Sequence, residues 1–134
     1  MIYANDQGIY EGNWENGMYK GYGKLLYPDG GLYSGNWLKN KRNNLGKMEY
    51  SNGDTYEGMW DNETQHGQGV MTYNNECIYD GNWDNHKQNG QGKMFYENGD
   101  VYTGNWLEDK RHGAGIIAYK QLESTAEGQW EDDI

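Results

Sequence analysis

Along this chain large side chains alternate with small or polar ones at a period of two. At Tyr10, Gly12 and Trp14 every second position is aromatic or glycine, and Glu11, Asn13 and Glu15 interleave with them. That period places alternate residues on opposite faces of a β-strand. Residues 10–14 therefore predict a strand with one aromatic face and one polar face. Gly23, Leu25 and Tyr27 alternate in the same way and predict a second strand. Between them lies Asn16-Gly17, a hairpin-turn dipeptide, in a tip that reads as longer than two residues. The stretch Tyr27-Pro28-Asp29-Gly30-Gly31 is a further turn signal. No segment carries the spacing of a helix.

The pattern recurs every 23 residues, and repeats decide architecture before any single element does. Tyr10, Tyr33, Tyr56, Tyr79 and Tyr102 form one column, and a glycine and a tryptophan follow each at two-residue steps. Gly23, Gly46, Gly69, Gly92 and Gly115 form another, and Tyr27, Tyr50, Tyr73, Tyr96 and Tyr119 a last one. Leu25, Met48, Met71, Met94 and Ile117 supply an apolar column between those two. The chain reads as one repeat domain over residues 1–134. Full units start at 10, 33, 56, 79 and 102, with partial units at 1–9 and 126–130. Tyr3 reads as the end of a preceding unit, in the Tyr27 column. Short connections between successive hairpins favour antiparallel neighbours. The expected fold is all-β: a single elongated, twisted antiparallel sheet of about 12 strands, about 55 Å long at 4.8 Å per strand. Glycine weakens a strand unless something bulky approaches it, so an indole packed over glycine backbone is the expected use of the glycine columns.

Composition changes the picture in one respect. Hydrophobic residues make up 34% of the 134 residues and the net charge is −10, values that on their own point to disorder. The 13 tyrosines and 6 tryptophans argue against it, and with 21 glycines they imply a core of aromatic rings on backbone in place of aliphatic packing. Cys77 is single, which excludes an internal disulfide and fits a reducing compartment. With no long apolar run, the chain reads as soluble and cytoplasmic. The acidic balance disfavours nucleic acid as a partner and disfavours contact with an anionic membrane.

The unit YxGxWxxxxxxGxGxxxYxxG resembles the MORN repeat (membrane occupation and recognition nexus), and Lys110 to Gly115, KRHGAG, is similar to that family's hairpin tip. The resemblance implies an elongated twisted sheet with an aromatic-lined groove, no catalysis, no cofactor, and a place in cytoskeletal, ciliary or membrane-associated assemblies. Departures are Asn44, in the column of Gly21, Gly67, Gly90 and Gly113, and Glu76 and Leu122, where Gly30, Gly53 and Gly99 predict a loop glycine. The latter two predict connections of a different shape. At the tips, Asn40, Glu63, His86 and Asp109 stand where the first tip has Gly17, so the tips are expected to vary in shape.

No catalytic constellation is present in the sequence. His66, His86 and His112 fall at or near hairpin tips and read as solvated. SNGDTY and ENGDVY read as ordinary turns, lacking the ligand ladder of a calcium loop. No metal or cofactor is expected. The connection edge of the sheet is acidic and reads first as a solvated edge, second as a docking surface for a basic segment. The tip edge is nearly neutral, with a basic docking spot at Lys39, Lys41 and Arg42. A single sheet leaves a face uncovered, and contiguous exposed apolar surface marks partner sites. The leading expectation is therefore a non-enzymatic scaffold holding a helical or extended segment of another protein. The groove assigned to it comprises Tyr33, Trp37, Tyr50, Tyr56, Trp60, Met71, Tyr73, Tyr79, Trp83, Met94, Tyr96, Tyr102 and Trp106. The alternatives are a phospholipid-binding module and carbohydrate binding on Trp and Tyr platforms. The acidic residues after Trp130 predict a chain that is mainly monomeric alone, or one subunit of a larger complex.

Overall fold

The computed structural model describes residues 2–120 and 124–133, with side chains in that range apart from those of residues 2, 3, 5 and 124. Twelve strands follow one another in a single antiparallel sheet whose spatial order is the chain order. They are β1 (Ile2–Asn5), β2 (Gly8–Glu15), β3 (Met18–Leu26), β4 (Leu32–Leu38), β5 (Lys41–Glu49) and β6 (Thr55–Asp61). The second half comprises β7 (Thr64–Thr72), β8 (Ile78–Asp84), β9 (Lys87–Phe95), β10 (Val101–Leu107), β11 (Lys110–Tyr119) and β12 (Ser124–Trp130). Among the described residues there is no helix. Each full unit is one hairpin, and the period-two pattern holds throughout. The Tyr10, Gly12, Trp14, Gly23, Leu25 and Tyr27 positions share one face, and that face is the core.

The tips do not vary as expected. Every one is a two-residue turn with both residues at positive φ, from Asn16 (52°) and Gly17 (76°) to Glu108 (47°) and Asp109 (69°). That is the type I′ geometry, whose twist matches the flanking strands. The strands simply run on to the turn, with Glu15 registered opposite Met18 and Leu38 opposite Lys41. Side chains that rarely adopt this conformation are held there by the neighbouring hairpin. The backbone N–H of Gln88 donates to Asp109 Oδ1 at 2.7 Å, and the N–H of Asp109 returns to the Gln88 carbonyl at 3.1 Å. Asn40, Glu63 and His86 make the same clasp onto Tyr19, Arg42 and Gln65. Left-handed backbone costs about 1–2 kcal/mol per residue; a hydrogen bond to a charged acceptor returns a similar amount.

Each full hairpin is also irregular at one place. Between Gly12↔Gly23 and Trp14↔Tyr19, one residue of β2 faces three of β3, and Gly21 takes φ 72°. The same bulge recurs at Gly67, Gly90 and Gly113, and at Asn44 with φ 62°, a conformation asparagine tolerates. The connection at Glu76 is a correction. Glu76 adopts φ 74° and keeps the turn of the glycine loops, with Tyr73 N–H on the Cys77 carbonyl at 2.8 Å. Leu122 lies outside the described residues. Tyr3 is a second correction: it is registered opposite Tyr10, the place Leu25 takes opposite Tyr33, so its register is that of the apolar column. The partial unit at 126–130 is in register despite its sequence offset, with Gly113 opposite Trp130 as Gly90 is opposite Trp106.

Candidate functional site

The aromatic face is built from two interlocked columns. Tyr10, Tyr33, Tyr56, Tyr79 and Tyr102 are all 0% exposed. Each ring lies flat on its own hairpin, over the paired glycines of that unit. A Cβ placed on Gly69 would meet Tyr56 Oη at 2.1 Å, and one on Gly92 would meet Tyr79 Oη at 2.2 Å. Each hydroxyl then donates to the carbonyl three residues on, as Tyr56 does to Met59 and Tyr79 to Asn82, both at 2.8 Å. The ring on glycine is thus tyrosine, not the indole that spacing alone suggested.

The tryptophans join units together. Trp37, Trp60, Trp83 and Trp106 donate Nε1–H to the carbonyls of Gly23, Gly46, Gly69 and Gly92 in the preceding unit, at 3.1–3.3 Å. Each indole stands edge-on to two tyrosines, its own and the preceding one. Trp83 lies 5.1 Å from Tyr79 at 85° and 5.4 Å from Tyr56 at 87°. The ladder runs on to Trp130, 5.2 Å from Tyr102. Edge-to-face pairs of this kind contribute about 0.5–1.5 kcal/mol each beyond burial.

A further column carries no common residue type and was not legible as one: Tyr19, Arg42, Gln65, Gln88 and Arg111. These residues follow the turns on the core face. Tyr19 stacks on Tyr10 at 3.8 Å. Arg42 lies over Trp60, 4.6 Å from the ring centre, and donates to the Glu63 carbonyl at 3.1 Å. Buried Gln65 and Gln88 donate to the hydroxyls of Tyr50 and Tyr73 at 2.6 and 2.7 Å. The inward-facing place at a 23-residue interval was the available signal.

Of the thirteen residues assigned to the groove, ten are buried by one another: Tyr33, Trp37, Tyr56, Trp60, Met71, Tyr79, Trp83, Met94, Tyr102 and Trp106. Tyr50, Tyr73 and Tyr96 are half-buried and belong with Tyr27 and Tyr119 to a row of one tyrosine per unit. A cleft of about 180 Å³ opens in this row, lined by Tyr27, Gly31, Arg42, Met48 and Tyr50. Burial pushes the hydroxyls of Tyr27 and Tyr50 up to about 12, against the pull of the Arg42 guanidinium. Tyr33, Tyr56, Tyr73 and Tyr79 are pushed up by the same cause.

The charged candidates separate. Arg42 faces the core and pairs with Glu63 at 3.4 Å, while Lys39 and Lys41 are exposed at the tip edge. Several carboxylates of the acidic edge have structural work. Asp29 accepts the Gly31 N–H, Asp54 the Asn74 N–H and Asp100 the Lys120 N–H, at 2.8–3.0 Å. His66 lies 3.3 Å from Asp84, and His86 accepts the Gln65 N–H through Nδ1 at 3.4 Å. Among the described residues no three His, Cys, Asp or Glu side chains converge on a metal position. Cys77 is half-buried against the core.

No curated protein was found to match the chain. Among solved structures it is similar to the SAS-4 (dCPAP) TCP domain of Drosophila melanogaster, in complex with a proline-rich motif of Ana2 (dSTIL). That likeness has 15% sequence identity and a TM-score of 0.42, and covers 97% of this chain and 90% of the other. The family model of the MORN repeat matches five times, at residues 10–32, 33–55, 56–78, 79–101 and 102–120. These bounds start at the first tyrosine of each hairpin, and the matched units carry the rings and glycines of the ladder: the chain belongs to the MORN-repeat family.

Proposed function

We propose that this chain is a non-catalytic protein-binding scaffold that holds a segment of a partner against its aromatic face. The observation that carries the reading is the tyrosine row. Tyr27, Tyr50, Tyr73, Tyr96 and Tyr119 present one partly exposed ring per unit, while the rings behind them are sealed. Tyrosine combines a large apolar face with a hydroxyl and is favoured at interfaces. A helical or extended segment running across the strands would meet a ring at each repeat, with the Tyr27–Tyr50 cleft as an anchor pocket. The acidic loop edge beside the row suits a segment carrying basic residues. The central tryptophans are at most 5% exposed, so the flat indole platform that sugar binding needs is not offered there. A cytoskeletal, ciliary or membrane-associated assembly is the setting that family membership suggests.

The test is selection of binding peptides from a random display library. Ligands should lose affinity for Tyr50→Lys and Tyr73→Lys chains that keep their far-UV spectrum. Selected peptides that bind these variants as well as the parent would place the site elsewhere.

A further inference from the structure

One row on the face opposite the ladder is finished in two different ways. Along its second half, residues registered opposite one another are paired amides: Gln68 donates to Asn82 at 2.7 Å, and Gln91 donates to Asn105. The equivalent places in β3–β6 hold Tyr22 opposite Asn36 and Leu45 opposite Met59. Tyr22 and Leu45 are each 55% exposed and Met59 37%. The row runs over four strands, about 14 Å, with Asn36 between Tyr22 and Leu45 and exposed Leu38 beside it toward the tip.

Met59 is the more costly exception. At its position Asn13, Asn36 and Asn105 donate Nδ2–H to the bulge carbonyls of Tyr22, Leu45 and Ala114, at 3.0–3.2 Å. Methionine has no such donor. The exchange forgoes a hydrogen bond and exposes a thioether, and neither helps the isolated fold.

Lysines border the row on both sides. Lys20, Lys39 and Lys41 lie toward the tips, Lys24 and Lys47 toward the connections, and all are exposed. Lys20 pairs with Glu15. Among the described residues the other four make no ion pair. Glu11 and Glu57 are registered opposite Lys24 and Lys47; on the tip side Glu15 pairs with Lys20 and Asp61 lines a pocket with Leu38, Lys39 and Lys41, which leaves three lysines to two carboxylates there. A cluster of five lysines around this row runs against the net charge of −10. Lys20 and Lys24 lie on β3 on either side of Tyr22, one toward the tip and one toward the connection.

We propose that this face of β3–β6 docks an acidic amphipathic helix of a partner protein. The helix lies across the strands, its apolar stripe on Tyr22, Leu45 and Met59 and its carboxylates toward the tip-side lysines Lys39 and Lys41. This surface is separate from the tyrosine row and does not depend on it.

The probe is a fluorescent synthetic amphipathic helix of about 18 residues, long enough to cross four strands. It carries a leucine stripe flanked by glutamates; a second probe replaces the glutamates with lysines. The intact chain should bind the acidic probe, more weakly as salt rises, and bind the basic one at least tenfold more weakly. Leu45→Gln with Met59→Asn installs the pair that Gln68 and Asn82 already form. It should cut affinity for the acidic probe at least tenfold while raising the melting temperature. Lys39→Glu with Lys41→Glu should weaken binding and flatten its salt dependence, and Tyr73→Lys should leave it unchanged. The proposal is overturned if the acidic probe does not bind, if both probes bind equally, or if the Leu45/Met59 double variant binds like the parent. Binding of anionic vesicles in place of the acidic probe also overturns it and reassigns the lysines to a membrane surface.

Discussion

Replacing Gly92 by alanine adds one methyl group where the structure leaves no room for it. The new Cβ would sit 2.2 Å from Tyr79 Oη, 2.5 Å from Cζ and 2.6 Å from Cε2. Carbon atoms pack at about 3.5–4.0 Å, so the ring must retreat by about 1 Å or more. Tyr79 is fully buried, between Trp83 at 5.1 Å and Trp106 at 5.3 Å, with its hydroxyl on the Asn82 carbonyl. Overpacking costs about 1–3 kcal/mol, and straining the hydroxyl bond adds about 1 kcal/mol. Alanine in place of glycine returns about 0.5–1 kcal/mol of backbone entropy. The net expectation is a loss of about 1–3 kcal/mol, although alanine is the better strand residue. Urea unfolding followed by tryptophan fluorescence measures it. Gly128→Ala is the control, because nothing lies within 4 Å of a Cβ there; it should be neutral or slightly stabilising. In a Tyr79→Leu background the Gly92→Ala cost should largely vanish. A Gly92→Ala chain as stable as the parent, or a cost unchanged without the Tyr79 ring, would refute the reasoning.

Other expectations follow from the same geometry. Burial raises the tyrosine hydroxyls of the core, so unfolded tyrosines lose their protons first. Stability should be flat up to about pH 10 and fall as pH rises toward 12, which alkaline urea titrations would show. His86 holds the Gln65 N–H only when neutral, and desolvation lowers its proton affinity. Its contribution should be complete above about pH 6.5 and lost as pH falls through its folded value; His86→Asn, the residue type at Asn40, should reduce that slope in melts between pH 7 and 5. Asp109→Ala removes the side-chain half of a clasp, leaving the Gln88 N–H without that acceptor, and should cost about 1–3 kcal/mol in urea unfolding. Asp109→Asn should recover most of it.

The repeat made the architecture readable because each of its columns reports on one physical demand. Alternation fixed the strands, and the short connections fixed their order and antiparallel sense. What stayed hidden depends on contacts between units. Glu63, His86 and Asp109 conceal a type I′ turn because their left-handed backbone is held by the hairpin 21 residues earlier, not by local preference. Gly23 and its equivalents declared a close approach but not by which ring, since both tyrosine and tryptophan recur at suitable positions. Tyr19, Arg42, Gln65, Gln88 and Arg111 share a place without sharing chemistry, so no column marked them. Spacing put the rings on one face, where the structure has them, but could not tell rings that seal one another from rings left partly open. On the opposite face Tyr22, Leu45 and Met59 looked like ordinary variation until their registers set them beside Gln68–Asn82.

The binding claim rests on the partly open tyrosine row. Backbone and side-chain NMR of the labelled chain, titrated with a display-selected peptide, reads that row directly. Shifts are expected at Tyr50, Tyr73 and Tyr96 and at Met48, Met71 and Met94 behind them, with Lys24, Lys47 and Lys93 on the opposite face unmoved. Shifts confined to the opposite face, with the tyrosine row silent, would contradict it.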